Sequence, residues 1–308
     1  MGLSLIIVQK IAVMFVLVLV GFLCAKAGMI DRETNKKLSA LALRLVTPML
    51  IFSSYQVEYE WRLVRNLLFS FAMAALAYAV QIPLAILFIR KKNNPNYQTE
   101  RMALIFANCG FFGIPLIEGL YGTEAAMYLT AYVTLFNILL WSAGTAIMSG
   151  RFEGKQFLRS LASPAVIATV LGFGCLLLRL RLPLLLLEPV KLIAGMNTPF
   201  AMIVAGATLA ETSLLPALKS PRTYLMIALK MLAIPAAAAL LLSRIPLEEL
   251  LVMIPIIATA CPTGAACTMF AVLYDKNGPY ASQLFALTTL TSIVTIPLIY
   301  LFGGVLVA

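Results

Sequence analysis

The chain of 308 residues is 62% hydrophobic and 12% charged, with a mean hydropathy of +0.97, against roughly 45–50% apolar and about 25% charged residues in soluble domains. This composition excludes a water-soluble enzyme, and the absence of histidine removes imidazole general bases, Ser-His triads and nearly all zinc, haem and di-iron sites. The 23 Lys and Arg against 13 Asp and Glu would point to nucleic acid in a soluble chain, but in a membrane protein such an excess marks cytoplasmic loops, so no nucleic acid, metal or cofactor is expected.

Apolar runs bounded by charge, Gly or Pro occupy about 4–25, 38–56, 66–89, 102–122, 125–148, 164–180, 189–210, 223–243, 249–274 and 281–306. A helix needs about 20 apolar residues to cross a hydrocarbon core of ~30 Å, so these runs predict an all-α polytopic membrane protein of ten spans in a lipid bilayer. The first run lacks an A-x-A cleavage site and reads as a retained helix, not a signal peptide. Cys24, Cys109, Cys175, Cys261 and Cys267 all fall within apolar stretches, without metal-ligand spacing, and read as small packing residues. The odd-numbered connections hold fourteen Lys and Arg and the even-numbered ones six. By the positive-inside rule the odd connections are cytoplasmic and both termini lie outside.

A shift of 151 residues superposes Gly21, Phe22 and Cys24 on Gly172, Phe173 and Cys175, Thr47-Pro48 on Thr198-Pro199, and Gly113 on Gly264. Five spans per half is an odd number, so homologous halves must insert with opposite orientation. The expected units are residues 1–150 and an inverted second repeat, 151–308.

Asn108-Cys109-Gly110-Phe111-Phe112-Gly113-Ile114-Pro115 lies near the middle of the fourth span and Ala260-Cys261-Pro262-Thr263-Gly264-Ala265-Ala266-Cys267 near the middle of the ninth. Proline removes a donor and clashes with the preceding turn, while glycine tolerates non-helical dihedrals, so each segment is expected to split into two half-helices. A lone proline or glycine pair marks only a packing kink. Matched interruptions in corresponding positions of two halves point instead to a transporter binding site.

These segments resemble the auxin efflux carrier family of bacterial and plant membrane transporters, which includes the plant PIN carriers. Asn108 to Pro115 is similar to the family's N-x-G-F-x-G-x-P element and Ala260 to Gly264 to its small-x-P-x-G element. Thr47-Pro48 in span two and Lys230 followed by Pro235 in span eight extend the resemblance over the whole chain. The resemblance implies an inverted 5+5 repeat with broken crossover helices four and nine, of the bile-acid symporter and NhaA-like type. It also implies a scaffold of spans 1, 2, 6 and 7, a transport domain of spans 3–5 and 8–10 moving as an elevator, and a homodimer in the cell membrane. The short connection at residues 149–163 departs from the plant carriers, whose long hydrophilic insert is missing.

With the orientation above, the second half of each broken span begins at the midplane. Two helix N-termini then face one region, and their free N–H groups and dipoles suit a carboxylate. Asn108 is expected to hold a carboxylate oxygen, with Cys109, Gly110, Phe111 and Gly264 supplying backbone beside it. Thr263 is expected either to contact the ligand or to cap the second half of span nine. Gly113, Pro115, Cys261 and Pro262 shape the crossover.

Thr47, Pro48, Asn197, Thr198 and Pro199 face the crossover from the scaffold by resemblance. A proline kink with the hydroxyl bonded to its own backbone serves equally for them. Asn137 in span five is expected to make an interhelical hydrogen bond or a polar contact with substrate. Arg44 and Lys230 interrupt apolar runs and are expected to snorkel to the interface, with guidance of anions as the alternative. Glu118 and Glu211, near span ends, need only solvated roles.

The function expected is therefore secondary transport of small organic anions, auxin-like or dicarboxylate. A proton- or sodium-coupled symporter of bile-acid type would need carboxylates or several side-chain oxygens at the breaks, and only Asp31 and Asp275 occur among aspartates, both in loops. A non-transporting anion receptor is the other alternative. Paired intramembrane acids are missing too, so an enzyme is not expected.

Overall fold

The computed structural model describes residues 3–151, 158 and 161–307, with side chains from residue 12 onward and at Gln9. Met1, Ala308, and the basic residues Lys155 and Arg159 that enter the orientation count, lie outside the described residues. Every regular element among the described residues is helical, apart from one isolated β-bridge.

In chain order the rods are α1 (Leu3–Lys26), α2 (Arg32–Ser54), α3 (Trp61–Phe88), α4 in two halves (Tyr97–Ile105 and Cys109–Tyr121) and α5 (Thr123–Ser149). After the central connection come α6 (Pro164–Leu177), α7 (Leu184–Glu211), α8 (Pro221–Leu242), α9 in two halves (Glu249–Ala260 and Ala265–Leu273) and α10 (Gly278–Val307). Among the described residues α2, α3, α5, α7, α8 and α10 are long and apolar enough to cross a membrane. The stretches Ala12–Lys26, Cys109–Tyr121, Pro164–Leu177 and Glu249–Ala260 are apolar but shorter.

Local chemistry sets the ends and breaks. The second run was expected to begin near residue 38, yet α2 starts at Arg32. Asp31 caps it by accepting the Thr34 N–H at 2.7 Å, and Glu33 pairs with Lys37 one turn on at 2.8 Å. Those hydrogen bonds to Thr34 hold the exposed Asp31 carboxyl below its usual range.

Three of the four π turns, Ala42–Val46, Cys109–Gly113 and Leu229–Ala233, end two residues before Pro48, Pro115 and Pro235. Proline cannot donate to the carbonyl four residues back and its ring crowds that carbonyl. Widening the preceding turn relieves the clash without ending the helix.

α1 lies along α7 and α6 against α2, while α3 packs with α5, and α8 with α9 and α10. The α1–α7 crossing brings backbone against backbone: a Cβ on Gly21 would collide with Ile203, and one on Gly206 with Val18. Large apolar side chains cover the perimeter, Leu185 being 84% exposed and Val305 80%. Water would drive such surfaces together, whereas lipid is their natural solvent. Inside, hydroxyls such as those of Ser70, Thr169 and Thr289 return to carbonyls of their own helices, which satisfies them without water. The protein is a multi-pass membrane protein.

Candidate functional site

The two breaks meet. The Asn108 N–H donates to the Pro262 carbonyl at 2.7 Å, and the Gly264 N–H donates to the Phe106 carbonyl at 2.8 Å. These bonds flank an antiparallel bridge between Ala107 and Thr263. Both residue choices follow from the geometry. Pro262 brings a carbonyl and no competing N–H, and a Cβ on Gly264 would sit 3.1 Å from the Phe106 oxygen. The bridge thus satisfies backbone that helix geometry has released; Phe106, Ala107 and Thr263 are fully buried.

Four helix ends gather at this bridge. The first halves of α4 and α9 finish there with free carbonyls, and the second halves begin there with free amides. Phe112 and Gly113 direct their N–H groups to the Asn108 carbonyl at 2.9 and 3.1 Å. The amides of Phe111, Ala265 and Ala266 find no acceptor among the described residues, while those of Cys109 and Gly110 face the Cys109 sulfur. Gly110, Ala265 and Ala266 are partly exposed, and the Cβ direction of Gly110 opens onto free space. Asn108 is 7% exposed, and its side-chain amide has no hydrogen-bond partner among the described residues.

Lys230 treats the opposite ends. It is 1% exposed, in the π turn of α8, and its Nζ donates to the Leu104 carbonyl at 3.4 Å and to the Thr259 carbonyl at 3.3 Å. Both carbonyls belong to the last turns of the first halves, so the ammonium faces the negative ends of two helix dipoles. The expectation of snorkelling fails here because buried carbonyls offer the cation a nearer partner than the interface does. No Asp or Glu occurs at residues 101–117 or 250–274. The crossing therefore keeps a positive potential from the free amides, while its negative ends are matched by Lys230.

Thr263 is not a helix cap. Gly264 occupies that position without a side-chain bond, while the Thr263 hydroxyl donates to the Ala103 carbonyl at 3.2 Å and its N–H to Thr288 Oγ1 at 3.0 Å. Its own polar groups are consumed in tying the bridge to α4 and α10. Cys109 and Cys261 are fully buried, Phe111 is 6% exposed, and Gly113 packs where a Cβ would lie 3.3 Å from Cys261 Sγ. Pro115 and Pro262 are buried at the crossing.

On α2 and α7, Thr47 does not bond to its own backbone. Its hydroxyl donates to Asn197 Oδ1 at 2.9 Å, joining the two helices, and leaves the buried Asn197 Nδ2 without a partner. The stretch of α7 beginning at Asn197 packs against the Cys109–Gly113 turn. Pro48 is buried beside Thr47, Thr198 is partly exposed and Pro199 is exposed.

Asn137 makes no interhelical bond among the described residues. Its Nδ2 donates to the Val133 carbonyl one turn back at 2.8 Å, a local solution open to any amide within a helix. Arg44 is exposed on α2 with no partner among the described residues and takes no part in the crossing.

Sequence reasoning missed three contributors. Thr288 receives the Thr263 amide. Gln81 donates from α3 to the Tyr132 hydroxyl at 2.9 Å. Glu100, 1% exposed, is held by Arg222 at 2.9 and 2.6 Å, Tyr280 at 3.2 Å and Asn94 at 2.7 Å. Glu100 stands among polar neighbours just ahead of the fourth apolar run, so hydropathy carried no signal for its burial. Nothing in one dimension pairs Thr288 with a break 25 residues earlier.

A family model described as Membrane transport protein matches residues 6–300. An uncharacterized transporter of Methanothermobacter thermautotrophicus is 22% identical over 297 residues, covering 94% of this chain and 96% of its own. An uncharacterized transporter of Methanocaldococcus jannaschii is 23% identical over 304 residues, covering 92% and 95%. With the match running almost end to end over a helical membrane protein whose two motif-bearing segments interlock at their breaks, the chain belongs to this membrane transport family, that of the auxin efflux carriers.

Proposed function

We propose that this transporter is a secondary carrier of small organic anions, with the carboxylate held at the α4–α9 crossing. The observation that carries this is the unpartnered side-chain amide of Asn108, beside the free N–H groups of Phe111, Ala265 and Ala266 that begin the second halves of α4 and α9. Each helix N-terminus is equivalent to about half an elementary charge, and no acid near the breaks cancels it. A carboxylate completes these donors, while a cation would meet uncompensated positive potential. Asn197 Nδ2, a buried donor without a partner on the helix packed against the Cys109–Gly113 turn, supplies a further contact from the scaffold side.

Ten crossings with both termini outside, arranged as an inverted repeat, fit this function. Support for the repeat comes from reciprocal packing: α1 lies on α7 and α6 on α2, as an exchange of halves requires. Helices α1, α2, α6 and α7 then form a scaffold, and α3–α5 with α8–α10 the moving body of an elevator, in a homodimer within the cell membrane.

Counterflow in proteoliposomes tests the proposal. Preloaded unlabelled carboxylate should drive uptake of the same labelled carboxylate, chosen beforehand by a thermal-shift screen of carboxylates with and without sodium. Binding without counterflow would make the protein a receptor.

A further inference from the structure

A second polar cleft lies away from the crossing, where the α3–α4 connection meets the start of α8. Its volume is about 410 Å³, and Phe88, Arg90, Lys92, Asn93, Glu100 and Arg222 are among the residues lining it. The one carboxylate among these is already satisfied. Glu100 is 1% exposed, and its two oxygens accept from Arg222, Tyr280 and Asn94. Arg222 is matched in the same pair.

Arg90 and Lys92 are exposed at the rim with no acidic partner among the described residues. Lys91 and Arg101 turn to the Tyr97 ring, and the Arg101 Nε donates to the Ile89 carbonyl. The cleft therefore carries two uncompensated positive charges over a neutral polar floor.

Its other wall is apolar. Phe88, at the end of α3, is 47% exposed and lines the cleft, while the exposed Leu87 and Ile86 spread the apolar surface around the same helix end. A small soluble anion would use the charges and leave the Phe88 ring bare. A phospholipid uses both, its phosphate against the cations and its acyl chain along the helix.

We propose that this cleft binds the phosphate group of an anionic phospholipid, with Arg90 and Lys92 as the charged contacts and Phe88 against the acyl chain. With both termini outside, as under Proposed function, the α3–α4 connection and this cleft face the cytoplasmic leaflet; binding itself does not depend on that orientation.

Native mass spectrometry of the full chain released from nanodiscs of phosphatidylglycerol and phosphatidylethanolamine tests this. Wild type should retain phosphatidylglycerol in preference to phosphatidylethanolamine. Arg90→Ala/Lys92→Ala should lower that affinity about thirty-fold, at ~1 kcal/mol per basic group. Arg179→Ala/Arg181→Ala, which removes the same charge elsewhere, should leave it unchanged.

Equal retention by the Arg90→Ala/Lys92→Ala variant and wild type would overturn the proposal, as would equal retention of the two lipids. Displacement of the lipid by millimolar inorganic phosphate would overturn it in favour of a soluble ligand. Nanodiscs expose both faces, so a wrong orientation would show in side-specific labelling and not here.

Discussion

The ammonium of Lys230 lies 3.4 Å from the Leu104 carbonyl, where the first half of α4 stops. A cation with no carboxylate beside it is held by backbone dipoles alone, and it serves two helix ends at once because Thr259 supplies the second carbonyl. Lys230→Met should lower stability by about 1–3 kcal/mol, the cost of leaving buried acceptors unmade, measured as a fall in Tm in detergent. Anion affinity should fall as well, because the negative helix ends then act unscreened on the crossing. Lys230→Arg should recover more of the affinity than of the stability, since charge is kept while packing is strained. Unchanged affinity in Lys230→Met would remove the lysine from the electrostatics of the site.

For Asn108 the expected effect is on binding. Loss of one hydrogen bond to a charged group costs ~1.5–3 kcal/mol, so Asn108→Ala should weaken carboxylate binding roughly ten- to a hundred-fold, with Tm nearly unchanged because the side chain has no protein partner. Asn108→Asp should bind still more weakly at pH 7, having placed like charge beside the anion. Isothermal titration with the carboxylate chosen by the thermal-shift screen measures both, and wild-type affinity in Asn108→Asp would put the site elsewhere.

The proposed elevator arrangement predicts relative motion between α2 and α4. Spin labels on the two helices should give a bimodal distance distribution whose weights shift with substrate. A single distribution unmoved by substrate would count against two states. Labels on α1 and α7 should keep one distance throughout, since Gly21 and Gly206 hold those backbones in contact.

Orientation is checked at Asn93, an exposed residue in the α3–α4 connection with φ of 57°. Asn93→Cys should resist membrane-impermeant maleimide in intact cells and react after permeabilisation. Asn94→Cys would not serve, because Asn94 holds Glu100.

How far the sequence reaches differs between fold and site. Helix positions were legible because a long apolar run has one solution in lipid, and the breaks at Asn108 and Pro262 because proline and glycine act on their own backbone. The start of α2 was obscured because capping by Asp31 extends a helix into polar sequence that hydropathy ignores. Lys230 was misplaced for a related reason. Distance from a span end measures depth along a helix, and says nothing of the direction toward carbonyls on two other helices. Thr263 was open between two roles and took a third, which depends on Ala103 lying across the crossing. The Thr47–Asn197 bond links positions 150 residues apart, beyond any local pattern.

The bridge between Ala107 and Thr263 also constrains how the chain is made. When synthesis has reached Ser149, the Asn108 amide and the Phe106 carbonyl are complete, but Pro262 and Gly264, which satisfy them, have yet to be joined to the chain. A half-made protein would hold bare peptide groups where the finished one is fully buried, at a cost of several kcal/mol each in hydrocarbon. The fourth helix must therefore wait, unbroken or beside water, until the ninth arrives. The first five helices should therefore fail to fold on their own, and a chain split at the central connection should assemble only when both parts are made together.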